Sequence, residues 1–369
     1  MNEKKQIDLE NKTILVTGSP GFIGANLVMR LLHVMDSGSV ISFDNMNAYY
    51  DPALKEYRLS KIEEEAATVA NQAARDGTSC PKHVFIQGDL SDRAAVDKAF
   101  AQWQPDIVIN LAAQAGVRYS IDHPQTYIQS NIMGFMNVLE ACRNHPVEHL
   151  VYASSSSVYG NNNATPFSTE DKTDTPVSLY AATKKSNELL AYSYAKLYNI
   201  PCTGLRFFTV YGPAGRPDMF YYSATEKLLR GDSIKLFNYG NCARDFTYVD
   251  DIVEGILRIM QGAPKQEDGL DGLPIAPFAL YNIGAGAPVD LMGFVQILQE
   301  ELVGAELLPA DYDFQAHQEL VPMQPGDVAV TYADTKALEA DFGYAPSTGL
   351  REGLRRFVAW YKEWQYHFR

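Results

Sequence analysis

The sequence predicts an α/β protein: a doubly wound parallel sheet followed by a smaller α+β portion. Three observations carry this. Residues Lys12–Gly24 read KTILVTGSPGFIG, a short β-branched run entering a glycine turn. Leu27, Val28, Leu31 and Leu32 then recur at helical spacing. From there to about residue 208, short apolar runs alternate with helical patterns, as in successive βαβ units. Beyond the Gly/Pro-rich turn YGPAGRPDM the alternation gives way to an α+β pattern. The expected division is therefore 12–208 and 209–369, with later segments able to return to the sheet.

Strand, glycine turn and helix in that order are the context of a Rossmann-type dinucleotide site. Gly18 permits the tight turn, Gly21 lets backbone approach a pyrophosphate, and Gly24 lets the helix pack closely. The N–H groups at the helix start face the phosphates. A second strand, Ser39–Phe43, ends in Asp44, about 20 residues past the last glycine, where a carboxylate binds an adenosine ribose. A carboxylate there repels the extra phosphate of NADP, so NAD is the expected cofactor. The competing reading of Asp44 is a turn cap.

Further strands are expected at Val84–Ile86, Ile107–Ile109, His149–Ala153, Thr203–Phe208 and Ala279–Ile283. Helices are expected over Lys55–Ala74, Asn131–Arg143, Leu179–Tyr198, Phe220–Arg230, Asp250–Met260, Leu291–Leu302 and Gly349–Trp364. The third strand runs into Gly88-Asp89-Leu90, where an acid and adjacent backbone suit an adenine amino group, or a helix cap nearby. Arg75–Lys82 and Gly262–Pro277 read as loops, and the polar start MNEKKQIDLENK as a frayed tail.

Composition narrows the partners. Net charge is −14 over 369 residues, so nucleic acid and anionic membranes are poor partners, and an anionic ligand needs individually placed arginines. No apolar stretch approaches the ~20 residues of a membrane span. Four scattered cysteines without metal spacing or an export signal read as reduced thiols, which places the chain in a cytoplasm, and no metal is expected.

Tyr180 and Lys184 form a Y-x-x-x-K pair one helical turn apart, after the fifth strand. A free tyrosine has a pKa of ~10, and a neighbouring ammonium and a positive nicotinamide both favour phenolate, so Tyr180 is the expected base for a sugar hydroxyl. The spacing is common on amphipathic helices; its position after that strand gives it weight. Ser154 to Ser157 end the strand and point hydroxyls at the same crevice, one or two of them serving only as turn caps.

TGSPGFIG, NLAAQAGVRYS, YASSSSVYG, SLYAATKKSNE, RFFTVYGPAGRPDM, RDFTYVDD and PMQPGDV, in this order over Lys12 to Trp364, resemble the extended short-chain dehydrogenase/reductase family. Within it they are most similar to the UDP-glucuronate 4-epimerases. The resemblance implies an NAD-dependent, redox-neutral reaction, in which hydride leaves carbon 4 of the sugar, the 4-keto intermediate turns over, and hydride returns to its other face. It implies Ser155, Tyr180 and Lys184 as catalytic. Gly18, Gly21, Phe22, Ile23, Gly24, Asp44, Asn45, Asp89, Leu90, Ala112 and Lys184 become NAD contacts. Arg118, Ser156, Ser157, Thr209, Arg216 and Arg244 become UDP-sugar contacts, Arg244 on the diphosphate. Thr209 and Arg216 suit a uronate carboxylate, and clamping it protects a β-keto acid from decarboxylation. The 209–369 portion becomes mainly UDP-sugar-binding, and the helices Asn131–Arg143 and Leu179–Tyr198 resemble those of a homodimer interface.

Three positions depart from the family pattern: Asn110 stands where histidine is expected, Glu63–Lys82 is longer and superficial, and Gln324 replaces a diphosphate arginine. A 4,6-dehydratase needs an Asp-Glu pair where Ser156 and Ser157 stand. A UDP-glucuronate decarboxylase and a UDP-glucose/UDP-galactose epimerase share the oxidation step, and an NAD-binding scaffold shares the fold.

Overall fold

A computed structural model describes residues 4–162, 164–269, 272–323 and 328–368. Gln324 lies outside the described residues. Seven parallel strands form the central sheet: β1 (Thr13–Thr17), β2 (Ser39–Asp44), β3 (Lys82–Gln87), β4 (Ile107–Asn110), β5 (His149–Ser155), β6 (Cys202–Phe207) and β7 (Phe278–Ile283). Their spatial order is β3-β2-β1-β4-β5-β6-β7. The order reverses between β1 and β4, so the crevice for ligands opens at their carboxyl ends.

Strand parity sends side chains to two cores. Ile14, Val16, Val40, Ile107 and Ile109 face helices α1 (Phe22–Val34) and α2 (Pro52–Asp76). Leu15, Ile41, Phe43 and Val108 face α3 (Arg93–Trp103), α4 (Gly134–Asn144) and α5 (Leu179–Tyr198). Both faces are buried, which explains why these strands read as continuous apolar runs.

The smaller C-terminal portion is α+β. Thr209–Tyr211 pairs in parallel with Ala243–Tyr248, which pairs antiparallel with Pro288–Asp290. Around it lie α6 (Phe220–Leu229), α7 (Val249–Met260), α8 (Leu291–Gly304), α9 (Lys336–Phe342) and α10 (Leu350–Phe368). Its core, with Tyr211, Phe294, Phe357 and Trp360, is continuous with the α1 face of the sheet.

Four sequence expectations need correcting. The polar start is not a frayed tail from Lys4 onward: Lys4–Gln6 pairs antiparallel with Gly262–Pro264, and Ile7 and Leu9 are buried. That pairing also removes the first residues of the expected 262–277 loop into a buried strand. The helix expected from Asn131 begins earlier, with a π-helical turn over Ile128–Met133 that leads into α4. The loop expected at Arg75–Lys82 is shorter: α2 runs to Asp76 and closes at Gly77 in the left-handed region, as a C-terminal cap requires, and β3 begins at Lys82. Residues 63–76 are thus a mostly exposed continuation of α2. No described helix is long and apolar enough to cross a membrane.

Candidate active site

At the β1–α1 turn the three glycines do distinct work. Gly18 has φ +72°, and a Cβ there would lie 2.7 Å from the Ala112 nitrogen, so only glycine lets the turn meet the end of β4. A Cβ on Gly21 would meet the Gly18 carbonyl at 2.8 Å. Gly24 also packs against Gly18 and Ser19, the turn itself, rather than against the strand as its spacing suggested. Gly21 begins α1 with no side-chain cap and no acid in the first turn. The helix start is therefore left positive where Phe22, Ile23 and Gly24 line the cleft.

Asp44, at the end of β2, is a turn cap, the second of its two readings. Its Oδ1 accepts the Met46 N–H at 2.7 Å, closing the turn, and lies 3.5 Å from the Lys55 ammonium. It also lines the cleft. Lys55 escaped the sequence reading because nothing in a helix pattern distinguishes it from a solvated lysine; here it is 6% exposed. Asp89 accepts from Asn45 Nδ2 at 2.9 Å and from the Ser91 N–H at 2.8 Å. Burial opposes its charge, but these bonds outweigh it and hold the carboxyl below its ordinary range. The cap of α3 falls to Asp92.

Asn110 occupies the switch point. It accepts from Thr17 Oγ1 at 2.8 Å, and Thr17 Oγ1 in turn accepts the Ala112 N–H at 3.2 Å. Beyond it, Asn131 on the π-helical turn holds both backbone groups of Gln114, accepting its N–H at 2.8 Å and donating to its carbonyl at 3.0 Å. Asn131 Nδ2 also reaches Thr183 Oγ1 at 3.0 Å, which ties this loop to α5 one turn from Tyr180. A π-helical turn is a recurrent device at functional sites, and periodicity at 3.6 residues cannot reveal it.

The four serines divide, and the turn cap among them is Ser155, whose hydroxyl accepts the Ser157 N–H at 3.2 Å. Ser154 is structural: its hydroxyl donates to Glu188 at 2.7 Å, and Glu188 receives a two-pronged ion pair from the buried Arg206 at 2.8 and 2.9 Å. Ser155 ends β5, hydrogen-bonds Ser157, and faces the Tyr180 phenol. Ser156 and Ser157 line the cleft from a short 3₁₀ turn.

Tyr180 and Lys184 differ from expectation in their electrostatics. Burial pushes the Tyr180 phenol above its ordinary value, opposed by its hydrogen bond with Ser155 and by the charge of Arg216. Lys184 does not supply the expected lowering. Its ammonium donates to the Ala153 carbonyl at 2.8 Å, and burial brings its own pKa down to about 8. Desolvation outweighs the i, i+4 pairing because both groups lie inside the protein.

At the far end, Thr209 lines the cleft from its short strand. Arg216 donates through Nε to Asp218 Oδ1 at 3.0 Å. Arg244 donates to the carbonyls of Ala243 and Ala329 at 3.0 and 2.9 Å. Neither neighbouring acid claims it: Asp245 accepts backbone N–H groups from Ala285, Gly286 and Ala333, and Asp250 meets Arg356. The Arg118 guanidinium lies 4.8 Å from the Phe237 ring centre.

One cleft of about 1150 Å³ runs from the glycine turn through Ser155, Tyr180 and Lys184 to Thr209, Arg216 and Arg244. The residues fit NAD at the glycine end: a turn no side chain could enter, an uncapped helix start, an acid at the end of β2, and a buried lysine beside β5. Sequence reasoning missed Tyr49, Lys55 and Asp218 on the cleft wall, and Arg58, Glu188 and Arg206 behind it.

Residues 14–271 match the model of the NAD dependent epimerase/dehydratase family. The chain is 46% identical over 357 residues to Protein CapI of Staphylococcus aureus, covering 95% of this chain and 98% of that one. It is 42% identical over 357 residues to a probable UDP-glucuronate 4-epimerase of Rhizobium meliloti, covering 95% and 96%. Among solved structures it is similar to the UDP-glucuronic acid 4-epimerase of Bacillus cereus in complex with UDP-glucuronic acid and NAD, with a TM-score of 0.77 and 28% identity over 95% of this chain and 99% of that one. The family model covers most of the chain and the relatives match nearly its whole length, and the chain belongs to the NAD dependent epimerase/dehydratase family.

Proposed function

We propose that this chain is a UDP-glucuronate 4-epimerase, interconverting UDP-glucuronate and UDP-galacturonate. The observation that carries the reading is the single cleft that joins the glycine cradle, Ser155, Tyr180 and Lys184, and a guanidinium at its sugar end. The names of the Rhizobium and Bacillus relatives support the same substrate.

NAD, held by the β1–α1 turn, Asp44 and Lys184, supplies the hydride acceptor and donor at carbon 4. Tyr180 takes the proton of the carbon-4 hydroxyl and returns it, with Ser155 bridging phenol and sugar oxygen. The raised phenol makes Tyr180 a strong proton acceptor once ionised, and the neighbouring guanidinium of Arg216 favours that form. Ser156 and Ser157 hold sugar hydroxyls. Thr209 and Arg216 hold the carboxylate at carbon 5, and Arg118 and Arg244 hold the diphosphate, which an otherwise acidic chain needs placed cations to bind. The 12–208 portion carries the cofactor, and 209–369 mainly the UDP-sugar.

A homodimer fits the exposed apolar side chains along α5, where Leu189, Tyr192 and Leu197 stand out of the surface at 59%, 50% and 70% exposure beside Met133. Light scattering of the purified protein reads the mass directly. A nucleotide-sugar reaction with reduced thiols fits a cytoplasmic chain.

The deciding experiment incubates the protein with UDP-glucuronate, without added reductant, and separates the products. UDP-galacturonate is the expected product, with NAD retained by the protein. Formation of UDP-xylose, or no reaction while UDP-glucose is converted, would overturn the assignment.

A further inference from the structure

Asp218 is a cleft carboxylate to which the proposed chemistry gives no task. It lies two residues beyond Arg216 and takes that guanidinium in a two-pronged pair, Nε to Oδ1 at 3.0 Å and Nη2 to Oδ2 at 2.5 Å. The Tyr49 hydroxyl donates to the same Oδ2 at 3.3 Å. Tyr49 reaches it from the loop after β2 by passing Gly116, where a Cβ would stand 2.7 Å from the phenol oxygen. Three loops, following β2, β4 and Thr209–Tyr211, thus converge on one carboxylate at the sugar end of the cleft.

The backbone beneath this pair is fixed. Arg58, 2% exposed, donates to the carbonyls of Ala214 and Gly215, both at 2.8 Å. The root of Arg216 is therefore anchored, and what remains free to rearrange is its head group and the partly exposed side chain of Asp218. Arg216 also lies near enough to Tyr180 to act on the phenol's charge, which places its fork beside the reacting end.

We propose that Asp218 is an internal stand-in for the substrate carboxylate, filling the Arg216 fork until a uronate displaces it, and that this exchange holds down the affinity for anionic sugars while leaving neutral ones untouched. The inference rests on the reading of the cleft as a UDP-uronate site. The physics is that of exchange. An aligned fork binds one carboxylate with two parallel bonds, and two carboxylates on one guanidinium leave a net negative charge in a confined cleft. A uronate can replace Asp218 like for like, so Arg216 is never left unpaired. A neutral hexose offers no charge to replace it and leaves both the pair and the Tyr49 bridge closed. Asp218 thus competes with the uronate alone, whose affinity is reduced by the pair it must displace.

The test is calorimetric titration of the NAD-loaded protein with UDP-glucuronate and with UDP-glucose, wild type against Asp218→Asn. Asparagine keeps the shape and removes the competing charge. UDP-glucuronate should bind roughly tenfold tighter, the scale of a charge-assisted bond against a neutral one, while UDP-glucose changes less than about twofold. Tyr49→Phe, which retains the charge but removes one of its donors, should move UDP-glucuronate affinity in the same direction by a smaller factor. Weaker UDP-glucuronate binding in Asp218→Asn, with UDP-glucose unchanged, would overturn the proposal and make Asp218 an aiming support for Arg216. An equal change on both sugars would overturn it in favour of a loop-folding role. If wild type fails to convert UDP-glucuronate at all, the functional reading itself falls; if it converts and Asp218→Asn does not sharpen binding, only the stand-in falls.

Discussion

Tyr180 and Lys184 show burial outweighing a local pairing. A phenol held above its ordinary value and a lysine brought down to about 8 stand further apart than their free values near 10 and 10.4, so the lysine loses its proton first. Deprotonation of the phenol then grows with pH, so turnover in the forward direction should climb from neutral toward alkaline pH; a flat profile would count against Tyr180 as the base. Tyr180→Phe should lower kcat by at least about 10²-fold, the usual range for losing a general base, while NAD stays bound and the melting temperature holds within a few degrees. The ring keeps its edge-on contact with Tyr127 at 6.1 Å, which is why packing should survive. Near-normal turnover in that variant would remove Tyr180 from the chemistry.

Arg58 makes the corresponding argument for elements. From α2 it donates to the Pro20 carbonyl of the glycine turn at 3.2 Å, to Tyr50 Oη at 2.6 Å, and to the carbonyls of Ala214 and Gly215. One planar donor fork thereby joins the cofactor turn to the loop that carries Arg216. Lysine has no such fork and cannot serve four acceptors in one plane. Arg58→Lys should therefore cost about 2–3 kcal/mol of stability through unsatisfied buried acceptors. It should also weaken NAD retention and UDP-sugar binding together, whereas Arg216→Ala should spare NAD. Denaturant unfolding with parallel ligand titrations separates the two, and a loss confined to the sugar would contradict the joint role.

For the whole molecule, pH stability is set partly by a histidine far from the cleft. His149 opens β5 fully buried, its Nδ1 donating to the Met260 carbonyl at 3.1 Å and its Nε2 accepting from Thr203 Oγ1 at 2.8 Å. That arrangement satisfies the neutral ring, and burial lowers its pKa from 6.5 to about 4. Between those values the unfolded chain takes up a proton that the native chain does not. Stability from this group is thus complete above pH 6.5 and is lost as pH falls toward 4, by at most about 1.4 kcal/mol per pH unit. His149→Gln, keeping a donor and an acceptor, should flatten the melting temperature between pH 6.5 and 4; unchanged slopes in wild type and variant would refute the account.

Local patterning determined most of the sheet and the cofactor end. β1, the glycine turn, α1 and the acid closing β2 are contiguous, and their spacing alone fixes that they meet, because a right-handed βαβ unit returns the chain to one sheet edge. Tyr180 and Lys184 were legible for the same reason, one turn apart on α5. Long-range pairing decided the rest. The N-terminal segment becomes a strand only because Gly262–Pro264 offers an edge more than 250 residues away. Arg206 on β6 finds Glu188 on α5, and Tyr49 finds Asp218, only once separate elements are brought together. The Tyr180 phenol was misjudged on sequence because the cost of burying charge depends on how much protein surrounds it. Periodicity reports which face of an element is apolar; solvation and charge partners are properties of the assembled cleft.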